Sequence, residues 1–182
     1  MAIAMTHPAE TEKDPQSRGV FLDRDGVLIH DIGYLSNPSE IRWIDGAQDA
    51  LARLAALGYK LFIVTNQSGV ARGYFEEAAI GRVHAAMQLA LPADTQIDDI
   101  AYCPHHPQGS VALYAVACTC RKPAPGMLER LIKFHRIDRS DCFLIGDRAS
   151  DIAAATSAGI PGHLFSGGNL DKFVARLLGH QI

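Results

Sequence analysis

The chain has 182 residues, is 48% apolar and 20% charged, and carries a formal net charge of −3, which is the profile of one globular domain with a sizeable core. No basic patch of the kind a nucleic-acid partner requires is present, and no apolar run approaches the length of a membrane span. Residues 1–17, MAIAMTHPAETEKDPQS, are mixed and polar without the apolar centre of a signal peptide, so they read as a mobile tail before a single domain over 18–182, and the chain reads as cytoplasmic. Met5 is an alternative start.

Five short apolar runs follow: 19–23, 59–65, 99–103, 142–147 and 162–165. Unbroken apolar runs of this length suit strands buried on both faces. Helical spacing occupies the intervals 46–57, 75–90, 124–135, 149–158 and 170–179. In the first, Ala47, Ala50, Leu51, Leu54 and Leu57 share a face, with Asp45 placed to cap the start and Gly58 to end it. Strand and helix in alternation predict an α/β fold, a parallel sheet with helices on both faces.

Ligands of such sheets bind at the carboxyl ends of the strands. Polar residues collect there in this chain. Asp23 and Asp25 follow the first run, Thr65, Asn66, Gln67 and Ser68 the second, Cys103 and His105 the third, and Gly146 and Asp147 the fourth. At i and i+2 of an extended segment, Asp23 and Asp25 face one cavity and Arg24 points elsewhere. Two such carboxylates repel unless a cation lies between them, and a hard divalent ion with oxygen ligands answers that need, with Asp147 as third donor. Asp-x-Asp-Gly equally suits a turn, and an Asp ahead of a helix is an ordinary cap. The loop VTNQSGVARG offers a hydroxyl, an amide and free N–H groups for phosphate oxygens. Lys122 can neutralise charge on a transferring phosphoryl group. Asp151, four residues after Asp147, is either a supporting carboxylate behind the site or a first-turn helix residue.

Taken in order, Asp-x-Asp-Gly-Val, apolar-Thr-Asn, Lys-Pro and Gly-Asp-x-x-x-Asp resemble the haloacid dehalogenase superfamily of phosphotransferases over roughly residues 18–180. The resemblance implies a three-layer Rossmannoid sandwich with a mostly parallel five-stranded sheet. It implies that Asp23 attacks phosphorus and becomes an aspartyl phosphate, while Asp25 protonates the leaving oxygen and then activates water. Thr65 and Lys122 complete the catalytic set, and Asp23, Asp25 and Asp147 would hold Mg²⁺.

Four cysteines remain. Cys103, His105, Cys118 and Cys120 form the pattern Cys-x-His, twelve residues, Cys-x-Cys, a set typical of closed structural Zn²⁺. His106 competes with His105, which completes two symmetric one-residue spacings. A Cys118–Cys120 disulfide would be strained. Cys142 is expected in the core. A zinc loop beside CRKP resembles the D-glycero-D-manno-heptose-1,7-bisphosphate phosphatases, with histidinol phosphatases as relatives having a shorter loop. That family's substrate contacts fall on Asp31, Ile32, Gly33, Tyr34, Thr65, Asn66, Gln67, Ser68, Arg121, Lys122 and Arg148, with Arg148 standing where relatives often have Lys. The gaps between motifs leave no room for a cap domain, so the zinc loop and residues 30–38 are expected to wall the pocket.

The resulting expectation is a monomeric Mg²⁺-dependent sugar-bisphosphate phosphatase with a structural Zn²⁺, a small phosphorylated sugar as partner, and neither nucleic acid nor membrane. The alternatives are a histidinol-phosphate phosphatase, a nucleic-acid 3′-phosphatase and a zinc-stabilised binding module without catalysis.

Overall fold

The computed structural model describes residues 17–179. The expected mobile tail and the alternative start at Met5 fall, but for Ser17, outside these residues. Along the chain lie β1 (Ser17–Leu22), a 3-10 turn (Pro38–Glu40), α1 (Ala47–Ala56), β2 (Lys60–Asn66), α2 (Glu77–Leu89), β3 (Asp99–Cys103), α3 (Gly126–His135), β4 (Ile137–Gly146), α4 (Ala149–Ser157), β5 (Gly162–Leu164) and α5 (Leu170–Gly179). The five strands form one parallel sheet in the order β3-β2-β1-β4-β5.

Alternate residues of each central strand feed two separate cores. Val20 and Leu22 of β1, Leu61 and Ile63 of β2, and Phe143 and Ile145 of β4 pack with Leu51, Leu54, Val83 and Val174 of α1, α2 and α5. Phe21, Phe62, Val64, Cys142 and Leu144 pack on the other face with Leu128, Leu131 and Ala154 of α3 and α4. Both faces are therefore apolar, which is why the strands read as unbroken runs. Cys142 takes its expected core position.

The chain runs outward from β1 to β2 and β3, then returns to β4 and β5 on the other side. The reversal opens a crevice between the carboxyl ends of β1 and β4, the point at which such sheets bind ligands.

Local boundaries differ from expectation for identifiable reasons. Ser17, assigned to the tail, opens β1 and pairs with Ile137. β4 begins five residues before its apolar run, because the half-buried or exposed residues 138–141 precede its buried part. Gly46, not Asp45, is the N-cap of α1, with φ 72° and no side-chain cap bond. A Cβ there would lie 2.6 Å from Asn169 Oδ1, so the close approach of the α5 end requires glycine. α2 starts at Glu77 rather than 75, leaving Phe75 free to lay its ring against Gly69, where a Cβ would be 2.3 Å from Phe75 Cε1. Among the described residues no separate domain interrupts β1 to β2 or β2 to β3. No described helix is long and apolar enough to cross a membrane.

Candidate active site

β1 ends at Leu22, and the Asp23 N–H still bonds to Ile145 O at 3.0 Å, so the ladder to β4 carries Asp23 into the crevice. Its carboxylate is buried. Oδ1 accepts from the Arg24 N–H at 2.7 Å and lies 3.0 Å from Lys122 Nζ. Lys122, also buried, donates to Val64 O at 2.8 Å and pairs with Asp151 Oδ1 at 2.6 Å. Burial pushes the Asp23 carboxyl up to about 6, against the pull of Lys122 and with the help of the Asp151 charge.

Carboxylate oxygens of Asp23, Asp147 and Asp151 all lie within 4.8 Å of one another. Burial, then the Asp151 charge, raises Asp147 as well. Asp147 Oδ1 is buried without a hydrogen-bond partner. The space for this carboxylate exists because residue 26 is glycine: a Cβ there would lie 2.3 Å from Asp147 Oδ2, and φ is +83°. Gly146 does the same for Asp151, whose Cβ would lie 2.2 Å from an added methyl. Three crowded carboxylates, one of them with an unpartnered oxygen, make a donor set that fits a hard divalent cation, and the Lys122 ammonium offsets part of their charge. Asp151, left open between two roles, fills both: its Oδ2 accepts the Arg148 N–H at 2.9 Å in the first turn of α4, while Oδ1 holds Lys122.

Asp25 lines the same cavity, but its carboxylate lies outside that cluster. The reason corrects the expectation for Arg24, which does not point away. Arg24 is 1% exposed and curls back, Nε 3.1 Å from Asp25 Oδ2 and Nη2 3.1 Å from Oδ1. Gln67 completes the hold, donating from Nε2 to Asp25 Oδ2 at 2.9 Å and to Thr65 Oγ1 at 2.8 Å, and accepting from Arg24 Nη2 at 3.0 Å. Thr65 thus accepts from Gln67 and keeps its own proton to donate. The signal for Arg24 was an arginine embedded where an apolar strand ends; the pleat rule gave its starting direction and not its final one.

The cavity measures about 360 Å³. Asp31, Gly33, Tyr34, Asn66, Ser68, Arg121, Lys122 and Arg148 border it as expected, together with Gly69 of the VTNQSGVARG loop and with Ser150, which no motif pointed to. Ile32 does not; its side chain is half exposed. Asn66 is turned to the backbone of Lys122, donating to its carbonyl and accepting its N–H, both at 3.1 Å. Arg121 Nη1 reaches His105 O at 3.4 Å, joining the cavity to the cysteine loop.

In that loop the four expected donor atoms converge. Cys120 Sγ lies 3.3 Å from Cys103 Sγ and 3.2 Å from Cys118 Sγ, and His105 Nδ1 is 3.7 and 3.5 Å from the Cys103 and Cys120 sulfurs. All four cysteines are free, so Cys118 and Cys120 are not disulfide-bonded. Separations of this size suit a tetrahedral site with soft ligands. Burial opposes ionisation of Cys118, but hydrogen bonds from Cys120, the Arg121 backbone and Cys103 bring it down to about 7. His106 is outside the cluster: Nε2 faces Arg72 Nη2 at 3.2 Å and Nδ1 accepts from Gln108 N. The loop is strapped to the segment after β2 by Ser110 Oγ to Arg72 O at 2.9 Å, Val111 N to Ala71 O at 2.9 Å and Tyr114 Oη to Glu77 Oε2 at 2.6 Å.

Comparison with known proteins agrees with this architecture. A family model described as HAD-hydrolase-like matches residues 119–176. The D-glycero-beta-D-manno-heptose-1,7-bisphosphate 7-phosphatase of Rhodopseudomonas palustris is 44% identical over 92% of this chain and 94% of its own. The enzyme of the same name from Escherichia coli K12 is 43% identical over 78% of this chain and 74% of its own. Among solved structures, the D,D-heptose 1,7-bisphosphate phosphatase of B. bronchiseptica, complexed with magnesium and phosphate, is 34% identical, covers 87% of this chain and 86% of that one, and has a TM-score of 0.73. With this fold and this degree of identity over nearly its whole described length, the chain belongs to the HAD-like hydrolases, in the family of the heptose-1,7-bisphosphate phosphatases.

Proposed function

We propose that this protein removes the 7-phosphate of D-glycero-beta-D-manno-heptose 1,7-bisphosphate, the substrate in its relatives' names, as a cytoplasmic monomer whose phosphatase domain spans 18–182. The observation that carries the reading is the single cavity holding Asp23, Asp25 and Lys122 at the end of β1, bordered by the cations Arg121 and Arg148.

Asp23 attacks phosphorus through a carboxylate oxygen, and the bond from phosphorus to the sugar oxygen breaks. Asp25 gives its proton to that oxygen. Thr65 and Ser68 bind phosphoryl oxygens, and Lys122 offsets their charge. Asp25 then takes a proton from the water that attacks the aspartyl phosphate, which restores Asp23 and releases inorganic phosphate. A Mg²⁺ ion held by Asp23 and Asp147 beside Asp151, when bound, shields the charge between phosphate and carboxylate. Arg121 and Arg148 grip the remainder of the sugar bisphosphate. The Cys103, His105, Cys118 and Cys120 set is complete without water, so a Zn²⁺ there is structural and shapes the loop that leads into Arg121 and Lys122.

A phosphate-release screen tests this with the heptose bisphosphate, histidinol phosphate, fructose bisphosphate and a 3′-phosphorylated oligonucleotide, each with Mg²⁺. The heptose bisphosphate is expected to give the highest kcat/KM. A higher value for any other substrate would replace the proposal.

A further inference from the structure

The acid in this chemistry is only as good as its placement, and Asp25 is held by Arg24, which does not border the cavity, and by Gln67, which does. Arg24 is buried to 1% exposure, which a guanidinium tolerates only when paired. Its pair is the neighbouring carboxylate, reached by Nε and Nη2 together. Gln67, itself 5% exposed, accepts a hydrogen bond from Arg24 Nη2 on Oε1 and donates from Nε2 to Asp25 and Thr65. Gln67's backbone N–H is also used, bonding to Cys103 O at 2.7 Å. Neither its side chain nor its N–H is left for a phosphate oxygen.

The two Asp25 oxygens are not equivalent. Oδ2 receives Arg24 Nε and Gln67 Nε2, and Arg24 Nη2 lies 2.9 Å from it as well. Oδ1 has Arg24 Nη2 alone. We infer that Arg24 and Gln67 are positioning residues that lock the Asp25 carboxyl so that Oδ1 is the atom that exchanges the proton with the leaving oxygen and then with water. When Oδ1 releases its proton to the sugar oxygen, the O–H bond of Asp25 breaks, an O–H bond on the sugar forms, and the new carboxylate charge lies against Arg24, which stays protonated throughout. This rests on the reading of Asp25 as the acid.

The test compares leaving groups in single turnover, with enzyme in excess and saturating Mg²⁺. p-Nitrophenolate leaves without a proton, whereas a sugar alkoxide needs one. Release of p-nitrophenol from its phosphate and of heptose monophosphate from the bisphosphate is followed in wild type, Asp25→Asn, Arg24→Lys and Gln67→Leu. Arg24→Lys and Gln67→Leu are expected to lose about 100-fold with the sugar and less than about 10-fold with p-nitrophenyl phosphate, the pattern of impaired general acid catalysis. Gln67→Leu leaves the Arg24–Asp25 pair in place and so serves if Arg24→Lys does not fold. If Asp25→Asn shows the leaving-group dependence while both other variants lose equally on the two substrates, or lose nothing, Arg24 and Gln67 are structural and the inference is overturned. If Asp25→Asn itself shows no such dependence, the assignment of Asp25 as acid falls, and the inference with it.

Discussion

Arg148 and Asp31 meet across the mouth of the cavity, Nη2 of the one 2.7 Å from Oδ2 of the other. The loop after β1 is thereby joined to the start of α4, although 117 residues separate the two in sequence. Both groups are partly exposed, so the bond adds little to global stability. Its effect is on the shape of the mouth. Arg148→Ala is expected to leave the melting temperature nearly unchanged and to raise KM for the heptose bisphosphate about 10-fold, with Arg148→Lys between it and wild type because a point charge replaces a planar fork. Steady-state kinetics on the bisphosphate beside melting curves give both numbers. A large fall in melting temperature with KM unmoved would assign the pair to the fold.

Asp23→Asn is expected to abolish turnover, since an amide forms no acyl phosphate. The metal-free variant is also expected to be at least as stable as wild type. Burial holds the Asp23 carboxyl at about 6, above its usual range, so its ionisation at neutral pH opposes folding, and the amide removes that opposition. Thermal unfolding in EDTA at pH 7 checks this; a markedly lower melting temperature for the variant would mean that the Lys122 pair outweighs the burial.

The crowded carboxylates of Asp23, Asp147 and Asp151 make a cation a folding ligand as well as a catalytic one. Millimolar Mg²⁺ is expected to raise the melting temperature of the wild type, as any ligand of the folded state does. Asp147→Asn is expected to lose most of that rise and to need more Mg²⁺ for activity. An unchanged Mg²⁺ response in the variant would remove Asp147 from the site.

Zinc analysis of the purified protein is expected to find about one ion per chain, the capacity of one four-ligand site. Cys118→Ser is expected to lose most of it and to impair turnover of the bisphosphate, because the loop ends at Arg121 and Lys122. Loss should also loosen the strap from Tyr114 to Glu77 and so reach the segment that follows β2. Full zinc and full activity in Cys118→Ser would contradict the assignment.

His84, buried in α2, gives an acid-sensitive element outside the active site. Burial, reinforced by the Arg24 charge, pushes it down to about 3. The unfolded chain therefore binds a proton at His84 between about pH 6.5 and 3 that the folded protein does not, so stability falls as pH falls through that window. Between pH 7 and 5 the loss from this group is about 2 kcal/mol. Chemical denaturation of His84→Leu at the two pH values is expected to show a difference smaller than wild type by that amount; equal differences would exclude His84 as the source.

Much of this molecule was legible in its amino-acid order. Strands buried on both faces must be apolar at every position, so β1, β2 and β4 announced themselves, and the short stretches after them carried the polar groups that a strand end exposes. Cys103, His105, Cys118 and Cys120 were legible because ligand spacing is a local property. What could not be read locally was decided by partners distant along the chain. The pleat set the initial direction of Arg24, but a side chain with several free torsions goes where its charge is compensated, and that place was made by Asp25 and by Gln67, 43 residues on. Gly46 caps α1 because Asn169 occupies the space a side chain would need. Asp151 counts among the carboxylates because a parallel sheet sets the end of β4 beside the end of β1, and Lys122 arrives from a third segment to balance their charge. Local order specified which residues were polar and where each strand stopped; only the fold, by bringing charges together out of water, determined which of them had to neutralise one another.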